Sequence, residues 1–422
     1  KAVAMKFMEE IFNEYRRWFV VAGLMLIYAA SNGITVHTLP LLYPPLIEEF
    51  GWSASQMTLP AAAFFIFGAV TSPPAGALFD RFPVRRVMFA GVIGLVMSLM
   101  CLPFISALWQ MVTLYLIFGL ALSLCGLTAS MVILTKWFDD MRGRATGLLL
   151  MSSSFGGAVF PLILGAGIEN LGWRQAVGGV SIAAALMTVP ALLFLVSDRS
   201  IEAVETADSA SKERLPVQYS DGPSFLEAVK SPTFYLLAFA TGAMWFTIVA
   251  LTQHQSIYLV KDIGIDGSVL PKVFSVFFAC SVIGKFGFGL LSDYVNKEIS
   301  MICSICLLTI GLIIVRLASS DSINYLFGYA VIAGIGFSGT FTTIQLLVAK
   351  HFAGGSYGKI LASIVMIDSL AGGVGTRVVG KMRDASGSYD AGWELLITLC
   401  VIAIFCTVII RLLGRSADTT QT

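Results

Sequence analysis

Long apolar runs alternate with short polar turns along most of the chain. Twelve such runs begin near Trp18, Gln56, Arg86, Trp109, Gly143, Gln175, Pro232, Val269, Ile299, Ser322, Tyr357 and Gly392. A helix rises 1.5 Å per residue, so about 20 apolar residues cross the roughly 30 Å hydrocarbon core of a bilayer. The pattern predicts an all-α membrane protein with twelve spans. One polar turn, Gly76-Ala77-Leu78-Phe79-Asp80-Arg81-Phe82-Pro83-Val84-Arg85-Arg86, sits between runs 2 and 3, and Gly289-Leu290-Leu291-Ser292-Asp293 repeats its Gly-x-Leu-x-Asp pattern 213 positions later. Lys136-Trp137-Phe138 returns as Lys350-His351-Phe352, Gly156-Gly157 as Gly372-Gly373, and Gly172-Trp173 as Gly392-Trp393. The chain is therefore read as a tandem duplication of six spans, and parallel membrane repeats place a substrate site at their interface.

This duplication divides the chain into a first segment at 1–17, a bundle at 18–196, a linker at 197–231, a second bundle at 232–413 and a tail at 414–422. Residues 1–17 mix apolar and charged positions, which suits either an interfacial helix or, the reading preferred here, a frayed tail. The linker is polar and charged, and its end, from Phe225 to Lys230, has the pattern of a short amphipathic helix. With both termini inside the cell, nineteen of the 27 Lys and Arg residues fall in cytoplasmic segments and six in outer loops, leaving Lys285 and Arg377 within spans. That asymmetry follows the positive-inside rule and orients the chain, with the linker cytoplasmic.

Composition agrees: 57% of residues are hydrophobic and only 13% charged, against about 25% charged in soluble domains. Seven cysteines, all in apolar runs, read as core residues rather than a disulfide framework. No cleavable signal is expected, because the first apolar run follows a charged stretch and exceeds a signal core in length. The sequence has no Asn-x-Ser/Thr sequon, which fits a bacterial inner membrane. His-Glu-x-x-His and a phosphate-binding Gly-Lys-Ser/Thr loop are also absent, so no enzyme, cofactor, metal or nucleic-acid partner is expected.

Charged groups inside spans carry the candidate chemistry. Lys285 stands about two thirds along span 8, where insertion of a central lysine costs about 2.5–3.5 kcal/mol. Its ammonium can hold a carboxylate as a point charge, or it can snorkel to the surface. Asp368 sits near the middle of span 11, too deep for its short side chain to reach water, so it must be paired, hydrated or protonated. It is the first choice for a proton-coupling group, with a fixed pair to Lys285 or Arg377 as the alternative. Arg377 lies near the outer end of the same span, with a substrate or gate role set against snorkelling. His37 and His254, at matching places in the repeats, are further proton-coupling positions, and a hydrogen-bonded helix-end histidine is the alternative. Tyr28, Asn32 and Thr35 share one face of span 1, and Tyr28, Asn32, Gln253, His254 and Gln255 can bond a ligand or neighbouring helices. Span 4 carries a stripe of small residues explained by close packing. Aligning the glycine pairs places Asp368 opposite Ser152 and Arg377 opposite Pro161.

Taken together, the Gly76–Arg86 turn and the duplication resemble the major facilitator superfamily over nearly the whole chain. The resemblance implies two pseudo-symmetric six-helix bundles working by alternating access. It assigns Gly76, Asp80, Arg81, Arg85 and Arg86, with Asp293 at the repeat, to a conformational latch. Three features resemble the monocarboxylate transporter and oxalate/formate antiporter branch: Lys136-Trp137-Phe138 leading into Arg142-Gly143-Arg144, Glu227-Ala228-Val229-Lys230-Ser231-Pro232, and Ala385-Ser386-Gly387-Ser388-Tyr389. Many relatives in that branch hold a carboxylate with an arginine after a glycine in span 8, where this chain has Gly284-Lys285. The expected protein is a monomeric, multi-pass, proton-coupled carrier of a small organic anion. A carrier of a zwitterion or amine, an exporter of a hydrophobic compound and an anion exchanger are the transport alternatives, with a membrane receptor or a channel further off.

Overall fold

In the computed structural model, residues 2–138, 141–198, 223–319, 322–354 and 356–419 are described, with side chains from Tyr15 to Gly414 within those ranges. Twelve of its helical segments are long and apolar enough to cross a membrane. Spans 1 to 6 are Tyr15–Phe50, Ala54–Arg81, Val84–Phe104, Leu108–Trp137, Arg142–Leu171 and Trp173–Leu195. Spans 7 to 12 are Pro232–Asp262, Leu270–Tyr294, Lys297–Arg316, Ile323–Phe352, Tyr357–Ser386 and Asp390–Gly414. Each starts within three residues of the position read from the apolar pattern. An even number of spans leaves both termini at one end of the bundle, called here the terminal end; the other is the distal end.

Two expectations need correction. The first helix runs back without a break to Ala2, so the opening segment is helical rather than frayed. Only Cys125 and Cys400 are buried, whereas Cys101 and Cys303 are exposed on helix surfaces. A small apolar thiol is as compatible with a lipid-facing surface as with a core, which is why the sequence could not separate the two.

Residues 199–222, which hold most of the linker charges, and Lys1 lie outside the described residues. The linker's last part is the expected short helix, Phe225–Lys230. Its capping box is complete: the Ser224 N–H and hydroxyl both donate to Glu227 at 2.8 Å, and the Glu227 N–H donates back to the Ser224 hydroxyl. These bonds hold the Glu227 carboxyl below its ordinary value. The cap is therefore intact at neutral pH and weakens only as pH falls through that lowered value.

Span 1 is not one continuous α-helix. It passes through a π-helical turn at Gly33–Thr38 and a 3-10 turn at Leu39–Leu42 before the helix Tyr43–Phe50. Pro40, Pro44 and Pro45 lack backbone donors and so cannot continue the ordinary ladder. Span 7 has a π-helical turn at the same end, Tyr258–Asp262. Such turns redirect side chains and carbonyls, and here they set both distal ends. The chain then reverses tightly at Gly51, whose φ of 69° closes the helix through its N–H bond to Ile47.

Candidate functional site

The two halves meet along spans 2 and 11 on one side and spans 5 and 8 on the other. Their closest approach is at the distal end. Asp384 in span 11 accepts hydrogen bonds from the Ser53 hydroxyl (2.7 Å), the Ala54 N–H (3.0 Å) and the Ser55 N–H (3.1 Å). A carboxylate of the second half thus caps the first turn of span 2 in the first half. Arg377, about two turns earlier on the same face of that helix, donates to the Ser55 carbonyl at 2.5 Å. Glycine makes the approach possible, since a Cβ on Gly380 would lie 2.9 Å from the Ser55 Cα. Between spans 1 and 7, Tyr43 donates to the Gln253 side-chain oxygen (2.7 Å), and the Gln253 amide donates to the Val36 carbonyl (3.2 Å).

Along spans 5 and 8 the contact runs inward to mid-membrane. A Cβ on Gly165 would strike the Pro271 ring and one on Gly157 the Phe278 ring, while Ser275 donates to the Ala158 carbonyl at 2.6 Å. Lys285 ends this zone. Its ammonium donates to the Leu150 carbonyl (2.9 Å) and the Ser153 hydroxyl (3.1 Å), and it lies 5.4 Å from the Phe341 ring centroid. No carboxylate comes within ion-pair distance of it among the described residues. Tyr28 approaches Ser153 from span 1. His37, on the π turn, lies with its ring centroid 4.1 Å from Phe278, and its Nδ1 is buried without a hydrogen-bond partner among the described residues. Tyr28, His37 and Lys285 therefore converge around the middle of span 5, with Asn32 half-buried on span 1.

Other sequence candidates stand elsewhere. Asp368 is 2% exposed, and neither of its carboxyl oxygens has a partner at hydrogen-bond distance among the described residues. The Thr241 side chain of span 7 stands beside the carboxyl, and no ion pair joins it to Lys285 or Arg377 among the described residues. His254 has both ring nitrogens occupied within the second half: Nδ1 shares a hydrogen bond with the Tyr389 hydroxyl and Nε2–H donates to the Thr376 carbonyl, each at 2.8 Å. Gln255 accepts from the Tyr329 hydroxyl at 2.6 Å, also within that half. Arg377 and Gln253 are seam residues at the distal end.

At the terminal end the halves stand apart among the described residues. A Cβ on Gly76, Gly147, Gly289 or Gly358 would meet nothing within 4 Å. Asp80, Arg81, Arg86 and Asp293 are exposed. Arg85 is engaged, but inside its own half: its guanidinium donates to the Leu192 and Leu193 carbonyls and its N–H to Asp198. The second half has its own anchor, where buried Glu298 accepts from Lys350 (2.7 and 2.8 Å) and His351 (2.8 Å). The molecule is thus closed at the distal end and open at the terminal end.

Sequence reasoning missed Ser153, Phe278, Phe341, Tyr43 and Asp384. Serines and phenylalanines within apolar spans carry no local mark of a cross-half contact. Asp384, at the end of an apolar run, likewise has nothing near it in sequence that marks a contact with Ser53.

The family model described as Major Facilitator Superfamily matches residues 20–375 and 255–421. The chain belongs to this superfamily. It is therefore a multi-pass membrane transporter working by alternating access, not an enzyme. It is 22% identical over 402 residues to the MFS-type transporter YcxA of Bacillus subtilis, covering 94% of each chain. To monocarboxylate transporter 13 of Rattus norvegicus it is 24% identical over 385 residues, covering 89% of this chain and 84% of the relative. Among solved structures, a bacterial homologue of the human lysosomal transporter Spinster, captured inward-facing and occupied, superposes with a TM-score of 0.71. That likeness has 17% identity and covers 94% of this chain and 97% of the other. At that identity the likeness establishes the shared fold.

Proposed function

We propose that this transporter carries a small organic anion, a monocarboxylate, together with a proton, with its terminal end facing the cytoplasm. The observation that carries the reading is Lys285, a cation inside the membrane whose partners are one carbonyl and one hydroxyl. Neutral partners leave most of an ammonium's desolvation cost uncompensated in a medium of low dielectric. An incoming carboxylate supplies the missing charge and displaces Leu150 and Ser153, the contacts by which Lys285 bridges the halves. Tyr28, Asn32 and Ser153 offer neutral hydrogen bonds around it, and Phe278 and Phe341 an apolar wall. Substrate binding and release of the cross-half bridge are then one event, as alternating access requires.

For the proton, Asp368 is the proposed carrier, because a buried carboxyl without partners is most easily accommodated protonated. His37, with an unpartnered nitrogen beside the same site, is the second position. His254 is assigned a positioning role, since both nitrogens are already used. Arg377 and Gln253 are assigned to the outer gate, and the loop at Gly76–Arg86 with Asp293 to the inner latch, released in this state. The orphan carboxyl of Asp368 also favours a second reading, in which it meets the cationic end of a zwitterion.

Binding of labelled monocarboxylates, amines and amino acids to purified protein distinguishes these readings. The account expects monocarboxylate binding that weakens at least tenfold in Lys285→Ala and is partly retained in Lys285→Arg, both eluting as folded protein. Near-normal monocarboxylate binding by Lys285→Ala, or binding of amines alone, would sink it.

A further inference from the structure

Spans 2, 4 and 11 enclose a groove of about 520 Å³ at the seam between the halves. Its walls are apolar, including Ile66, Phe67, Val70, Leu116 and Val374, and it opens sideways: Val70 is 61% and Val374 48% exposed. Its distal end is different. Arg377 and Lys381, one helical turn apart on span 11, both line it there. Neither has a carboxylate within ion-pair distance among the described residues. Arg377 spends one donor on the Ser55 carbonyl, and Lys381 is exposed.

We propose that this groove holds an anionic phospholipid, one acyl chain along the apolar walls and its phosphate between Lys381 and Arg377. The argument is one of matching chemistry. A lateral, apolar groove within membrane spans is bathed in lipid tails, and two cations at its distal rim lie where an acyl chain meets its head group. A lysine or arginine near an anionic lipid surface contributes about a fivefold preference. A soluble anion would use the cations but leave the walls unfilled; a neutral lipid would do the reverse.

The groove belongs to both halves, and this gives the lipid a consequence. Gly373 of span 11 packs on Ala62 and Ile66 of span 2, so a Cβ there would collide with Ile66 at 2.7 Å. Opening the distal end separates these walls. A lipid touching both binds only while the distal end is closed, and it stabilises that state by its differential affinity. Arg377 thereby has two tasks, sealing Ser55 and receiving the phosphate.

Native mass spectrometry on full-length protein, taken from nanodiscs with equal phosphatidylglycerol and phosphatidylcholine and then progressively delipidated, tests the site. The expected result is preferential retention of phosphatidylglycerol, lowered roughly fivefold in Lys381→Gln, restored in Lys381→Arg and also lowered in Val374→Trp, which fills the groove. Excess inorganic phosphate should not displace the lipid. Equal retention of both lipids, unchanged retention in Lys381→Gln, or displacement by phosphate would each overturn the proposal. Lys285 lies in the other seam, so failure here leaves the substrate reading untouched, and failure of the substrate reading leaves the lipid site testable.

Discussion

His254 and Lys285 show how differently two polar side chains in a membrane can be settled. Both imidazole nitrogens are engaged, one by the Tyr389 hydroxyl and one by the Thr376 carbonyl. Lys285 is satisfied geometrically but not electrostatically, which makes it the better place for a charged ligand. The sequence placed both groups correctly along their spans. It could not tell them apart, because the partners of His254 lie 122 and 135 residues away and leave no local mark. His254→Ala should therefore lower stability by about 1–3 kcal/mol, the cost of leaving the Tyr389 hydroxyl and Thr376 carbonyl unpaired. Thermal unfolding in detergent measures this. Uptake per folded molecule should keep its proton dependence; loss of that dependence in a stable His254→Ala protein would return the residue to the coupling machinery.

At the scale of elements, the apolar pattern located the spans because each must bury or expose about 20 residues in lipid, a demand written locally in the sequence. The seams were not legible in that way. Asp384 caps the first turn of span 2 across a separation of 331 residues from Ser53, and nothing near either residue announces it. A lost helix cap costs about 0.5–2 kcal/mol, and here the loss falls only on the distal-closed state. Asp384→Ala should accordingly shift the population several-fold toward distal opening. Faster labelling of a Ser55→Cys reporter by a membrane-impermeant thiol reagent would register the shift. An unchanged labelling rate in Asp384→Ala would mean that the cap does not hold the gate.

At the scale of the whole molecule, the repeats share a framework but differ in charge. Lys136 lies 3.9 Å from Asp198 in one half, while Lys350 and His351 grip Glu298 in the other. Mid-membrane, the first half offers Ser153 and the second Lys285 and Asp368. Of these, closing the seam brings Lys285 to Ser153, while Asp368 stays within its own half against span 7. The duplication was readable because it repeats at a fixed offset. The open terminal end was not, since a conformation is a choice between packings of the same sequence. The most direct test of the central claim is uptake of a labelled monocarboxylate into proteoliposomes with an imposed inward proton gradient, comparing intact protein with Asp368→Asn. The account predicts gradient-stimulated accumulation by the intact protein and, in the variant, exchange that no longer responds to the gradient. Accumulation that ignores the gradient in the intact protein, or persists undiminished in Asp368→Asn, would contradict it.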